Sequence, residues 1–192
     1  MVGELAHAGT VLNRRPVTVT TWGEWLQMHP ETTVVDIDAG FNRGYLDPSE
    51  VGSAYYEYRA SPEVMFPTFT VDGRIAEKYN IVGIAADNES MAFPVDVIVA
   101  ERVINTMVGN SDLVLIGSPE TGVVGAYERG APEFAQGENP REVVDELGVI
   151  WTARDEALVS DDGRSPPRIP ARELFFFAWA AFFPGTDVYT GE

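Results

Sequence analysis

Large apolar side chains recur at helical spacing twice in this chain, once near each end. The first set lies at intervals of three and four residues, which places it on one face of a helix: Trp22, Trp25, Leu26 and His29. The second set has the same spacing: Phe176, Trp179, Ala180 and Phe183. Pro30 and Pro184 directly follow the two sets and are predicted to end the helices. Each helix is too short to be stable alone, so we expect both to bury their aromatic faces.

The similarity of the two ends extends beyond the helices. Aligning Pro30 with Pro184 superposes three further pairs: Trp25 on Trp179, Thr32 on Thr186 and Val34 on Val188. The β-branched residues of 32–37 favour a strand after the first helix. The sequence therefore predicts a repeated helix–proline–strand motif at 20–36 and 174–190.

Between the two copies, β-branched and apolar runs bounded by turn residues predict short strands: 16–20, 65–71, 81–86, 102–108, 112–116, 122–127, 149–152 and 157–159. The apolar run 95–100 fits either a helix or a strand. The polar and glycine-rich stretches are predicted as loops: 36–61, 130–140 and 161–167. Few strand pairs have room for a crossover helix, so we predict a mainly β fold of the α+β class. Its antiparallel β core would carry two short aromatic-rich helices, one near each end. Residues 1–15 are predicted to be a flexible N-terminal segment and 16–192 a single β-rich domain.

The charge of the chain limits its partners. The formal net charge is −17, from 30 acidic and 13 basic residues, and Lys78 is the only lysine. Dispersed acidity with little lysine is typical of proteins that work in high salt, so we expect a halophilic prokaryotic source, such as an archaeon. An ordinary acidic protein is the alternative. Binding to nucleic acid through phosphates requires clustered Lys and Arg, which the sequence lacks.

Several further classes are excluded by what the sequence does not contain. It has no cysteine, which excludes disulfides, thiolate catalysis and cysteine-based metal sites. Gly-x-Ser-x-Gly, Gly-x-Gly-x-x-Gly and the P-loop pattern are also absent. The apolar run 174–183 is too short to span a bilayer, which takes about 20 such residues. The start of the chain lacks the pattern of a signal peptide, so we expect a cytoplasmic protein from the sequence as it stands.

Four stretches make the chain resemble a bacterial and archaeal family known as domain of unknown function 3179: 20–32, 40–67, 82–109 and 177–184. They include Thr-Thr-Trp-Gly-Glu-Trp at 20–25, Met-Ala-Phe-Pro at 91–94 and the Phe-Phe-Pro that ends at 184. The resemblance implies no established activity. It implies that relatives are usually longer, with a preceding module, and often secreted or membrane-anchored. Many relatives carry a Cys-Pro-x-Cys segment, and the corresponding stretch here, 113–118, has no cysteine.

The loop 36–61 holds the main candidate site. It is rich in tyrosine and arginine, which offer a flat face with a polar tip and a forked donor for planar or anionic ligands. The candidate ligand-binding residues are Arg43, Tyr45, Asp47, Tyr55, Tyr58 and Arg59. A loop this long in a compact domain is often functional. The alternative is that these tyrosines only cover the core.

The start of the same loop partly matches a calcium-binding loop of the EF-hand type. Oxygen-bearing side chains occupy relative positions 1, 3, 7 and 12 of that pattern: Asp36, Asp38, Asn42 and Asp47. Gly40 stands where the pattern has an acidic or amide residue, and Phe41 where it has glycine. Calcium is thus the one cofactor that the sequence suggests, against the alternative of a solvated turn.

His29 is one of two histidines and the natural candidate for a general base. The repeat aligns it with Phe183, which favours a ring packed at the end of the helix with a satisfied hydrogen bond. The sequence offers it no evident partner.

These observations favour a non-catalytic binding or structural module over an enzyme. The alternative is an enzyme of unknown class with a carboxylate, arginine and tyrosine site in the 36–61 loop. The partners to consider are a small-molecule ligand, a second module or another copy of the chain. Exposed aromatic side chains around Trp22 and Trp25 would favour a missing partner.

Overall fold

The computed structural model describes Ala8 and residues 14–36, 46–68 and 71–191. This part of the chain contains eleven strands and four short helices. The helices are α1 (Trp22–Met28), α2 (Tyr56–Ala60), α3 (Val95–Glu101) and α4 (Phe176–Phe182). The first strands are β1 (Asn80–Ala86), β2 (Glu89–Pro94), β3 (Val103–Val108), β4 (Ser111–Gly117) and β5 (Val124–Glu128). The others are β6 (Phe134–Gln136), β7 (Glu142–Asp145), β8 (Ile150–Ala153), β9 (Leu158–Ser160), β10 (Arg172–Phe175) and β11 (Asp187–Val188). The prediction of a mainly β fold is confirmed.

The first sheet is built around the hairpin of β1 and β2. Its strand order is β10-β1-β2-β11, with β11 parallel to β2 and the other pairs antiparallel. Asp87 and Asn88 form the two-residue turn, with φ angles of 50° and 67°. Positive φ at both positions is typical of the type I′ turn, whose twist matches that of the flanking strands. Asp and Asn tolerate this conformation better than other non-glycine residues.

The second sheet lies between two apolar layers. Its strands have the order β3-β4-β5, and the third sheet has the order β6-β7-β8-β9. In β4, Leu113 and Leu115 pack in the core that this sheet shares with β1, β2 and α3, whereas Val114 and Ile116 pack against the third sheet. A strand buried on both faces reads as a continuous apolar run instead of an alternating one. This explains the unbroken run at 113–116.

The two copies of the predicted repeat share their helix and the turn after it, whereas a strand follows the turn only in the C-terminal copy over the described residues. The indole N–H of Trp25 donates to Oγ1 of Thr32 at 2.9 Å, and that of Trp179 donates to Thr186 at 2.8 Å. The ring centroids of Trp25 and His29 are 4.2 Å apart, and those of Trp179 and Phe183 are 4.1 Å apart. The two helices therefore end in the same way, with the last ring packed against the tryptophan and the chain turned back to the indole.

Several local predictions were wrong. No strand forms over the described residues of three segments predicted as strands: 16–20, 32–36 and 65–68. The stretch 130–140 was predicted as a loop, yet it contains β6. β2, β7 and β10 were also missed. The ambiguous run 95–100 lies in a helix, α3, and the 36–61 loop contains the short helix α2, so four helices form instead of two.

Candidate functional site

The residues predicted as a site in the 36–61 loop contact mainly the loop itself where the structure describes them. Arg59 donates from Nη2 to the carbonyl oxygen of Pro48 at 2.5 Å and to Oγ of Ser53 at 3.1 Å. Asp47 accepts from the backbone N–H of Ser49 at 2.8 Å. These contacts hold the loop in shape, which is a structural role for both charged groups.

The tyrosines of this loop differ from one another. Tyr55 is exposed and adopts a left-handed conformation, with φ at 62°, directly before α2. Lys78 places its ammonium 3.7 Å from the ring centroid of Tyr58 and donates to the carbonyl oxygen of that residue. The only lysine of the chain thus joins the loop to the main body through a cation–π contact. Arg43 and Tyr45 lie outside the described residues, so the loop site as a whole stays a prediction.

The calcium prediction also stays a prediction. Asp38 and Asn42 lie outside the described residues, Asp36 is exposed, and Asp47 is engaged by Ser49. Among the residues that the structure describes, no group of three or more His, Cys, Asp or Glu side chains could hold a metal ion.

A different concave surface lies beneath α1. This α1 cleft has a volume of about 810 Å³ and is open to solvent on one side. Its polar and flexible lining residues outside the strands are Gln27, Met28, His29, Arg141, Arg154, Asp155, Glu156 and Ser165. The first three come from the end of α1, and the others come from the loops that follow β6, β8 and β9. The cleft therefore forms only when the N-terminal helix packs on the third sheet.

His29 and Asp155 meet at the edge of the α1 cleft. Nε2 of His29 is 2.5 Å from Oδ2 of Asp155, and the stacked indole of Trp25 covers the imidazole ring. Arg168 lies behind the carboxylate, with Nη1 at 4.0 Å from Oδ1 of Asp155. The expectation of a packed histidine ring with a satisfied hydrogen bond is confirmed. The ring also has an acidic partner, which is the arrangement that orients a general base.

Glu24 and Arg141 form a second ion pair, in which Arg141 lines the cleft and Glu24 lies outside its lining. Oε1 of Glu24 accepts from Nη2 of Arg141 at 2.5 Å, and Glu24 is only 8% exposed. Burial alone would raise the pKa of the Glu24 carboxyl. Hydrogen bonds from Arg141, Thr121 and Thr20 outweigh burial and hold that pKa below its ordinary value. The pair is thus ionised at neutral pH and fixes α1 to the start of β7.

Two further arginines differ in their surroundings, since Arg154 lines the cleft and Arg168 lies outside its lining. Arg168 is buried and donates to Oγ1 of Thr18 at 2.5 Å and to the carbonyl oxygen of Val124 at 3.1 Å. Arg154 is exposed, and its guanidinium makes no hydrogen bond or ion pair within the described part of the chain. Tyr127 donates its hydroxyl to the carbonyl oxygen of Arg154 at 2.9 Å, and burial raises the pKa of Tyr127 to about 12. Arg154 is therefore held by its backbone while its charged end stays available.

Comparison with known proteins identifies the family of this chain. The family model described as "Protein of unknown function (DUF3179)" matches residues 1–186. The chain belongs to the DUF3179 family. No curated protein and no solved structure matches this DUF3179 chain. In the part of it that the structure describes, no helix is long and apolar enough to cross a membrane.

Sequence reasoning missed the α1 cleft because its parts are far apart in the chain. His29 and Asp155 are separated by 126 residues, and Asp155 belongs to an acidic pair that looks like ordinary surface in so acidic a chain. One signal pointed to it. At His29 the first copy of the repeat has a ring with polar nitrogens, where the second copy has the apolar ring of Phe183.

Proposed function

We propose that this DUF3179 chain is a non-catalytic binding module of a halophilic prokaryote, and that the α1 cleft binds a small anionic ligand. The observation that carries the proposal is the guanidinium of Arg154, which is unpaired within the described residues and lines the same concave surface as His29. A guanidinium offers a fork of donors that fits a carboxylate or a phosphate. The chain has a net charge of −17, so an available guanidinium in a cleft marks that cleft as a specific place for an anion to bind.

Three other charged groups in or behind the cleft are paired. Arg141 is neutralised by Glu24, and Arg168, which lies behind Asp155, is held by Thr18 and the backbone of Val124. Of the two carboxylates in the lining, which would repel an anion, Asp155 is engaged by His29, whereas Glu156 is exposed. The bound anion would therefore meet Arg154 as its main cationic partner, with the amide of Gln27 and the hydroxyl of Ser165 in the same lining.

The test is a titration of the full chain with inorganic phosphate, and separately with succinate, by isothermal calorimetry in KCl at constant ionic strength. We expect saturable binding of at least one anion, and Arg154→Ala should weaken it at least tenfold. Arg59→Ala is the matched control, because it removes the same charge from the 36–61 loop. Loss of binding in Arg59→Ala with retention in Arg154→Ala would move the site to the loop and contradict the proposal.

A catalytic role for the same cleft is the second candidate, favoured by the 2.5 Å contact between His29 and Asp155. In that case a ligand would be converted chemically, and His29→Gln would abolish conversion while leaving anion binding within about twofold. Product analysis by NMR after incubation with the bound anion's esters separates the two roles. The remaining alternative is an enzyme whose site lies in the 36–61 loop and uses Arg43, Tyr45 and Asp47, with or without calcium.

A further inference from the structure

The two copies of the helix–proline–strand motif share their geometry but not their surroundings. In the C-terminal copy, the hairpin of β1 and β2 lies between β10, which precedes α4, and β11, which follows it. The aromatic face of α4 packs on this hairpin, so that Phe176, Trp179 and Ala180 are at most 1% exposed. The C-terminal copy therefore shows that the element packed against the aromatic face of this motif is a β-hairpin.

The fit between this motif and its hairpin depends on a glycine. Gly83 in β1 lies directly beneath the indole of Trp179, and a Cβ atom placed on it would come within 2.4 Å of Cε3 of that ring. The strand that follows α4 continues the sheet, because the backbone N–H of Tyr189 donates to the carbonyl oxygen of Ala92 at 2.9 Å. A hairpin with a glycine opposite the tryptophan is thus what the motif accepts.

In the N-terminal copy, no described residue of the chain covers the same surface. The alignment of Pro30 with Pro184 places 18–21 on β10 and Thr33 and Val34 on β11. Val34 is 70% exposed and Val35 is 88% exposed. Valines 17 and 19 and Trp22 are also about half exposed or more. Within the described residues, the backbone groups of 17–20 and 33–35 make no hydrogen bond.

We propose that the N-terminal copy of the motif is a docking surface for a β-hairpin supplied by a second, related polypeptide module. The first strand of that hairpin would pair antiparallel with 18–21, as β1 pairs with β10. Its second strand would pair parallel with 33–34, as β2 pairs with β11. Its glycine would lie under the indole of Trp25. Strand addition of this kind satisfies the free backbone groups of both edges and covers the exposed valines.

A second copy of this chain does not fit as the occupant. The described part of the chain contains two copies of the motif but one hairpin that is held in this way, and α4 of the same chain covers that hairpin. Two copies of the chain would therefore present two unoccupied motifs and no free hairpin. The occupant must come from a polypeptide that carries an additional hairpin of the same kind.

The probe for the test is a synthetic peptide with the sequence of residues 80–94, closed by a disulfide between cysteines added at its two ends. Closure is needed because an isolated hairpin is marginally stable in water. The chain itself has no cysteine, so it cannot exchange with the peptide disulfide. We expect saturable binding to the full chain, a blue shift of tryptophan fluorescence, and slower amide exchange at 18–20 and 33–35.

Two matched substitutions keep the test specific. In the peptide, replacing the glycine equivalent to Gly83 with leucine should weaken binding at least tenfold, because the side chain would collide with the indole. In the chain, Val35→Pro removes the N–H that corresponds to that of Tyr189 and should have a similar effect, whereas Val35→Thr should bind like the wild type. Val35 is exposed, so neither variant should change the thermal unfolding of the chain alone.

Three results would overturn the proposal. The first is the absence of saturable binding, both for the peptide added in solution and for the same hairpin tethered ahead of residue 14 by a flexible linker. The second is equal binding of the leucine peptide or of the Val35→Pro chain. The third is a dimer of the chain alone that already protects the amides of 33–35. Anion binding in the α1 cleft involves other residues, so a negative anion titration would leave the outcome of the hairpin test unchanged.

Discussion

Close approach of a ring to the backbone makes Gly83 the least replaceable residue of the first sheet. The indole of Trp179 fills the space where a side chain would stand, and Trp179 is itself buried. We predict that Gly83→Ala lowers the free energy of unfolding by about 1–3 kcal/mol, the usual range for overpacking a core. Urea denaturation followed by fluorescence measures the change.

Gly23 is the matched control for that substitution. It lies in α1, and a Cβ atom on it would meet nothing within 4 Å. Gly23→Ala should leave stability unchanged or raise it by up to about 1 kcal/mol, because alanine favours the helix. Equal losses for the two variants would show that the contact between Gly83 and Trp179 is not the cause.

The carboxylate of Asp145 holds the turn between β7 and β8 and predicts a pH dependence. It accepts from the backbone N–H groups of Leu147 and Val149 and from the indole of Trp151. Burial alone would raise the pKa of Asp145. These hydrogen bonds, with that from Arg164, outweigh burial and hold the pKa below its ordinary value of 3.8.

The sign of the effect follows from that lowered pKa. The stabilisation by Asp145 is fully present above its unfolded-state pKa and is lost as the pH falls through its folded-state value. We predict that Asp145→Asn destabilises the chain at pH 7 and reduces the loss of unfolding free energy between about pH 5 and pH 2. Denaturation curves across this range measure it. Asp161→Asn, which removes the same charge from an exposed position, should keep the wild-type slope.

The two copies of the motif provide a matched pair of hydrogen bonds in different surroundings. Thr186 and Trp179 are each 1% exposed, whereas Trp25 is only partly buried and Thr32 lies near the surface. We predict that Thr186→Val costs about 1–3 kcal/mol, since it leaves a buried indole N–H without a partner. Thr32→Val should cost roughly 0.5 kcal/mol or less, because water can replace the hydroxyl.

Thermal unfolding of both variants by calorimetry tests this prediction. The comparison has a second use, because binding of a hairpin to the N-terminal copy would bury Trp25. In the presence of the closed hairpin peptide, the cost of Thr32→Val should rise towards that of Thr186→Val. Similar costs without the peptide would contradict the difference in burial.

The sequence predicted elements well where their own residues determine them. The spacing of Trp25 and His29 and the following proline were sufficient to place α1. The strand predicted at 32–37 failed over its described residues because a strand is defined by its partner, and no partner strand for it is present in the described part of the chain. β7 was missed for the opposite reason. Its polar ends, Glu142 and Asp145, look like loop residues until the neighbouring strands are present.

The site could not be predicted because it depends on the assembly of the whole molecule. Arg154 and His29 come together only when α1 packs on the third sheet. No spacing rule connects two residues that are separated along the chain by strands of all three sheets. The composition of the 36–61 loop drew attention instead, although Arg59 and Asp47 are used there to hold the loop together.

The charge of the whole molecule predicts how its stability depends on salt. A net charge of −17 destabilises the folded state by self-repulsion, and the Debye length falls from about 10 Å at 0.1 M to about 3 Å at 1 M salt. We predict that the midpoint of thermal unfolding rises by several degrees between 0.1 and 1 M KCl, where each kcal/mol corresponds to about 2–4 °C. Screening is nearly complete at that point, so a further rise up to 3 M would indicate that carboxylates retain water and salt, as the proposed halophilic source requires.

A parallel series with CaCl₂ at matched ionic strength tests the calcium prediction for the 36–61 loop. A rise at millimolar calcium that a chelator reverses, and that Asp36→Ala abolishes, would support the calcium prediction. A midpoint that stays constant or falls with KCl would contradict the halophilic assignment.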